Sequence, residues 1–316
     1  MTSLALIFSG LQALTYIEAV HLGFLKPGVV LIGGRWRPDA DTYRELQSSS
    51  VVQPLRAIRL GKLGRASHLA IGDPYSGLAQ TLLLFKNPDQ LTILEDGAAT
   101  YRAIQQFQSG SPLYRAQERR RSRHQLAMLA TRRLNKLDDA NRLRWVTHRP
   151  PHVPVRGSLL HTFEHLRGSA GPDMDPTQRL VVGSALAHDG YIQPERYVGW
   201  LERVLTPGAD TVFLPHRRES SEAINLAHRR GIRVETSTIP LERRLVQMQS
   251  LSEVCTLPTT AALTSSVIRP DIAVRVQPIA VEWWAKGAPD GQRDIVRLVE
   301  SLASPRDTGE ALAQDD

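Results

Sequence analysis

The chain has 316 residues, 41% of them apolar and 22% charged, with a net charge of +7. That is enough apolar material for two ordinary domains or one large one, and the charge fits an anionic partner: nucleic acid, an anionic lipid surface or a sugar nucleotide. A single cysteine, Cys255, excludes a disulfide framework and a CxxC metal site.

No positive n-region precedes the short apolar run at 4–8, and that run is far below the length of a membrane span. The expectation is a cytoplasmic chain without a signal peptide, touching the inner membrane face only from its surface. Residues 4–8 read as a strand. A small, polar turn at 9–12 follows, then a helix over 13–22 carried by Leu14, Ile17, Ala19 and Val20. Amides at such a helix start can face a ligand. Pro27-Gly28 marks a turn before a strand at 29–32. A helix is predicted over 41–48, strands over 55–60 and 67–71, a helix over 78–85, and a strand over 91–94 that ends on Glu95-Asp96-Gly97. Strands alternating with helices at this spacing indicate a parallel sheet whose strand ends share one edge. Residues 9–12, 72–73 and 95–97 are therefore expected to converge.

Residues 115–144 are dense in arginine and lysine and interrupted by Leu126, Met128, Leu129, Leu134 and Leu137. They read as one or two helices with a basic face, which is either plain solvated surface or a patch for anionic lipid or an acidic acceptor. No nucleic-acid-binding motif accompanies the charge, and aromatics are 6%, so no specific nucleic acid is expected. Extended and loop-like stretches at 149–154 and 166–178 place an inter-domain hinge between them. The expected division is residues 1–155, 156–302 and a disordered tail at 303–316.

The second half repeats the style. Strands are predicted at 180–183, 211–214, 231–235, 253–257 and 272–276, with helices over 194–205, 218–230, 240–249, from 258 and over 294–302. Cys255 falls in a strand and reads as a small core residue. The strand at 211–214 runs into Pro215-His216-Arg217-Arg218, which puts a histidine where open α/β sheets bind ligands, with arginines that suit a phosphate.

Three places carry chemistry when taken together. The acidic pair Glu95-Asp96 offers a general base, and Gly97 allows a tight turn. His216 offers a proton or a hydrogen bond to a leaving phosphate. Thr259-Thr260, at a strand-to-helix junction, offers hydroxyls and amides to phosphate oxygens without a metal. These are the parts needed to move a group from an activated phosphate ester to a hydroxyl.

The residues resemble the bacterial sialyltransferases and polysialyltransferases, which share an acidic-acidic-Gly motif, a His-Pro motif and a later Ser/Thr pair. Leu-Glu-Asp-Gly-Ala-Ala-Thr-Tyr at 94–101 is similar to the first, Leu-Pro-His-Arg-Arg-Glu at 214–219 to the second, and Leu-Pro-Thr-Thr-Ala-Ala-Leu at 257–263 to the third. The turn at 9–19, Val-Gly-Ser-Ala-Leu at 182–186 and Pro-Leu-Glu at 240–242 also resemble the family, over residues 4–280 in all. Arg217 stands where the family has proline, which reshapes the loop or adds a phosphate contact. Ser265 and Ser266 compete for the Ser/Thr role but would lie more than a turn into the helix, so Thr259 and Thr260 are preferred.

The resemblance implies two Rossmann-like domains around a central cleft, a GT-B-type fold. It implies an inverting, metal-independent transfer of sialic acid or a related acidic sugar from a CMP donor to a glycan or glycolipid acceptor, with no cofactor. Glu95 would be the base, with Asp96 competing. His216 would contact or protonate the leaving phosphate, Thr259, Thr260 and Arg217 would hold it, and Glu242 would lie near the ribose. Gly10 and Gln12 would line the acceptor side. The alternative is a non-catalytic polyanion- or glycan-binding protein acting through its basic helices.

Overall fold

The computed structural model describes residues 3–34, 36–55, 66–115, 118, 120–152, 154–169, 177–207, 210–236 and 239–303. The first half runs β1 (Ser3–Ile7), α1 (Gly10–His21), β2 (Val29–Ile32), α2 (Ala40–Ser49), β3 (Val51–Pro54), β4 (His68–Ile71), α3 (Gly77–Lys86), β5 (Gln90–Leu94), α4 (Ala98–Gln108), α5 (Arg121–Asp139), β6 (Leu143–Thr147), β7 (Ser158–Leu160) and α6 (Glu164–Gly168). Its strands form one seven-stranded sheet in the order β3-β2-β1-β4-β5-β6-β7, parallel throughout. All five residues of β1 are buried, because helices cover both faces of the central strands; that is why the strand reads as an unbroken apolar run rather than an alternating one.

The second half runs β8 (Arg179–Val182), α7 (Pro194–Val204), β9 (Thr211–Leu214), α8 (Ser221–Arg229), β10 (Arg233–Val234), α9 (Leu241–Gln247), β11 (Glu253–Thr256), α10 (Thr260–Ile268), β12 (Ala273–Val276) and α11 (Asp290–Ala303). Its parallel sheet has the order β10-β9-β8-β11-β12. Both sheets therefore reverse strand order beside their first strand, between β1 and β4 and between β8 and β11. Crevices at such reversals are where doubly wound sheets bind ligands.

The sheets are joined by one apolar core that includes Ile7 and Leu14 from the first half and Val182, Leu245 and Val254 from the second. At α9, the buried Arg243 reaches Glu45 of α2 with two hydrogen bonds of 3.0 and 2.8 Å, a planar fork matched to a carboxylate. The last helix, α11, returns to the first domain, where Leu298, Val299 and Leu302 pack with Ala98 and Tyr101 of α4 as well as with Leu263 of α10.

Several elements depart from the sequence expectation. The edge strand is Val51–Pro54 rather than 55–60, and residues 56–60 of that expectation lie outside the described residues. Helix α4 was not anticipated; its N-cap is Gly97, with no side-chain cap to announce a start. The basic run is one helix followed by a strand. Arg144 sits in β6, whose Leu143, Trp145, Val146 and Thr147 are buried, and Arg142 donates to the Asp89 carbonyl at 2.6 Å. Residues 116, 117 and 119 of the run lie outside the described residues, as do 170–176 of the expected hinge loop and 304–316 of the expected tail. The boundary expected at 155/156 falls between β6 and β7, which pair in the first sheet, so the chain crosses to the second sheet only after β7.

Candidate active site

A cavity of about 870 Å³ lies at the crevice of the second sheet and reaches Ala98 and Arg115 of the first domain. Its second-domain wall is built from three strand ends. Gly183 and Ser184 follow β8, Pro215 to Arg218 follow β9, and Pro258 to Thr260 follow β11. Gly183 is required by packing, since a Cβ there would collide with the Glu219 carboxylate and the His216 backbone nitrogen. Glu219 in turn accepts the backbone N–H of His216 (3.3 Å) and the hydroxyl of Tyr197 (2.9 Å), which fixes the loop that carries the histidine.

The imidazole of His216 has a defined tautomer. The Arg218 backbone N–H donates to Nδ1 at 3.1 Å, so the neutral ring carries its proton on Nε2. Burial, with Arg218 and Arg217 beside it, pushes its pKa down to about 4. An anion in the cavity would offset those cationic neighbours. Arg217 is exposed at the cavity wall, while Arg218 is held by Asp189 at 2.7 Å.

Thr259 is the N-cap of α10 and Thr260 its first residue, and both line the cavity. The Ser265 and Ser266 pair does not: Ser265 is buried, and the Ser266 hydroxyl takes a bond from Arg149. Glu242, in the first turn of α9, is buried on the cavity floor, and burial raises its pKa.

The first domain contributes Ala98, shortly after β5, and Arg115 to the lining. Here the acidic pair divides. Asp96 is partly exposed; its Oδ1 accepts the Ser9 hydroxyl at 2.8 Å, and its backbone N–H donates to Thr100 Oγ1 at 2.7 Å. The Gln12 side chain also hydrogen-bonds it. Burial first, then the charge of Asp73, raises the pKa of Asp96 to about 6. Glu95 points the other way and is fully buried. Its Oε2 accepts the His148 backbone N–H at 2.6 Å, His148 Nδ1 lies 2.6 Å from Oε1, and His161 Nε2 lies 4.0 Å from Oε2. Burial holds His161 at a pKa of about 3.

Gly97 joins the two walls. Its φ of +64° is in the region that favours glycine, and a Cβ there would collide with the Thr260 side chain. The next residue, Ala98, has its N–H 3.4 Å from Thr260 Oγ1. The turn after the acidic pair is thus in contact with the helix start that carries the threonines.

Gly10 and Gln12 are placed differently from the others. Gly10 packs on Pro240 at the domain joint, where a Cβ would not fit. Gln12 is buried behind Asp96 and accepts the Phe8 N–H at 2.7 Å. Arg115 is a cavity residue that sequence reasoning assigned to the basic face; it reaches over the Tyr75 ring and pairs with Asp73 at 2.9 Å. The convergence of residues 9–12, 72–73 and 95–97 was its only signal. Among the described residues, no group of three or more His, Cys, Asp or Glu is placed to hold a metal ion.

Two Rossmann-like domains facing across a cleft at their sheet reversals make a GT-B-type fold. The structure is similar to that of an alpha/beta-galactoside alpha-2,3-sialyltransferase from Photobacterium phosphoreum, with a TM-score of 0.55 over 96% of both chains at 11% identity. It also aligns with the GT-B domain of a sialyltransferase from Photobacterium damselae (TM-score 0.48, 12% identity, 96% of this chain and 97% of that one) and with an ADP-heptose lipopolysaccharide heptosyltransferase II from E. coli (0.44, 12%, 96% and 98%). At 11% identity the first of these likenesses speaks for the fold alone. No protein-family model and no curated protein sequence matches the chain.

Proposed function

We propose that the protein is an inverting glycosyltransferase that moves sialic acid, or a related acidic sugar, from a CMP donor to a glycan hydroxyl. The observation that supports this reading is the contact between the turn after the acidic pair, at Gly97-Ala98, and Thr260 at the start of α10, beside a cavity lined by His216, Thr259 and Thr260. Asp96, rather than Glu95, is the base, because Glu95 is sealed in the core against His148. Asp96 takes the acceptor hydroxyl proton as the acceptor oxygen bonds to the anomeric carbon. The anomeric C–O bond breaks on the opposite side, and the electron pair leaves with the CMP phosphate. His216 donates from Nε2 to that phosphate, while Thr259, Thr260 and the first amides of α10 hold its oxygens. Arg217 adds charge at the rim. Glu242, a cavity residue, would accept hydrogen bonds from ribose hydroxyls. The chemistry assigned to these residues uses no metal.

In the same reading the enzyme works at an anionic membrane surface. The outward stripe of α5 carries Arg121, Arg132 and Lys136 together with the exposed Met128 and Leu129. Among the described residues, no helix is long and apolar enough to cross a membrane.

The test is calorimetric titration of CMP into the wild type and His216→Ala. CMP binding that weakens about tenfold or more in the variant, as loss of a charge-assisted hydrogen bond predicts, supports the donor assignment; UMP and GDP should bind poorly. Absence of CMP binding to the wild type removes it. A non-catalytic glycan-binding protein would instead lose function on charge reversal along α5 and keep it in Asp96→Asn.

A further inference from the structure

A second cavity, of about 400 Å³, lies on the first-domain side and is separate from the donor cavity except at Arg115, which lines both. Its walls include Phe8, Asp73, Tyr75, Gln80, Tyr114 and Arg123. We propose that this cavity is the acceptor subsite and that it takes an uncharged, hydroxyl-rich sugar, so that a chain already ending in an acidic sugar is excluded. The proposal rests on the transferase reading above.

Position is the first argument. Phe8 directly precedes Ser9, whose hydroxyl bonds Asp96, and Asp73 is close enough for its charge to act on Asp96. Two of its wall residues, Asp73 and Arg115, thus lie within electrostatic reach of Asp96, and its volume is at the lower end of the range for small-ligand sites.

Charge is the second. The described cations in the wall are Arg115 and Arg123, and each already faces a carboxylate: Arg115 pairs with Asp73 at 2.9 Å, and Arg123 with Glu118 at 3.6 Å. Arg123 also donates to the Tyr75 carbonyl at 2.9 Å. A sialylated acceptor would bring its carboxylate beside Asp73 and Glu118, and like charges at close range are strongly disfavoured. An uncharged sugar meets no such conflict.

The remaining surface suits a sugar ring. Tyr114, half-buried in the cavity wall, is held by stacking on His124 with ring centroids 4.2 Å apart, and its aromatic ring suits the apolar C–H face of a sugar. The Gln80 amide nitrogen is used by the Pro74 and Leu113 carbonyls, while its buried Oε1 has no hydrogen-bond partner among the described residues. A donor hydroxyl would complete it.

The experiment offers the full-length protein a CMP-sialic acid donor and a panel of matched neutral and terminally sialylated oligosaccharides, lactose and sialyl-lactose among them. CMP affinity is measured on the same samples. Transfer to the neutral member of a pair should exceed that to the sialylated one by about tenfold or more, the scale expected for juxtaposed like charges. Asp73→Asn, which releases Arg115, should narrow that ratio, and Tyr114→Ala should raise the acceptor KM about tenfold with a smaller change in kcat, as loss of ground-state binding does. Equal or preferred use of sialylated acceptors overturns the proposal. So does transfer to no member of the panel by a protein that binds CMP, or an unchanged acceptor KM in Tyr114→Ala. Failure to bind CMP overturns the donor reading itself, and the proposal with it.

Discussion

Replacing Asp96 by asparagine should destroy transfer and make the protein more stable at the same time. The carboxyl has an ordinary value of 3.8 and is raised to about 6 in the folded chain, chiefly by burial and then by Asp73. Because the folded value is the higher one, this group favours folding at low pH, and that contribution is lost as the pH rises through about 6. At neutral pH the folded chain thus holds a carboxylate that would be better solvated when unfolded. A shift of about two units at about 1.4 kcal/mol each bounds the penalty at about 3 kcal/mol. The group keeps some contact with water and has the Ser9 hydroxyl as a partner, so the expected gain in Asp96→Asn is about 1–2 kcal/mol. Urea titrations at pH 8, 6 and 4 read it directly: the gain should be full at pH 8, smaller at pH 6 and nearly absent at pH 4. Transfer by the wild type should rise with pH through about 6 as the base ionises. Equal stability of the two proteins at pH 8, or residual transfer near wild-type rate in the variant, would refute the assignment.

Three further outcomes are expected. Glu95→Gln should lose about 1–3 kcal/mol of stability, because it breaks a buried pairing with His148, while the folded fraction keeps transfer within about tenfold of wild type; denaturation and active-site titration separate the two effects. Gly97→Ala should cost about 1–3 kcal/mol through its positive φ and push Thr260 aside, so that CMP affinity measured by calorimetry falls with it. Replacing Met128 and Leu129 together by serine should weaken binding to phosphatidylserine-containing vesicles by about tenfold or more, taking about 1 kcal/mol for each half-exposed side chain, and the binding should also fall with added salt.

Much of the architecture is legible in the chain because helix-covered parallel strands must be continuous apolar runs. Val29–Ile32 and Thr211–Leu214 were delimited to the residue for that reason. Where the local pattern carried no punctuation, reading failed. Helix α4 starts on a glycine without a capping side chain, and β6 was hidden because Arg142 and Arg144 blended into a basic run. The candidate site followed the same division. The strand-end positions of Asp96, His216 and Thr259-Thr260 follow from topology, which sequence periodicity reports. Which member of the acidic pair is sealed in the core does not, since adjacent residues leave a strand on opposite sides. The partners that hold Glu95, His148 and His161, lie more than fifty positions away along the chain. Arg115 belonged to a charge run and could be separated from it only by its pairing with Asp73.

Glu242 and Arg243 are neighbours with opposite duties: one forms the cavity floor, and the other is gripped by Glu45 of the facing domain. Swinging the second domain away would strand a guanidinium that is now buried, at a cost of about 3–5 kcal/mol for a broken buried pair. The pair therefore acts as a latch that resists widening of the cleft. In the transferase reading proposed above, a donor would meet walls already held together by this latch.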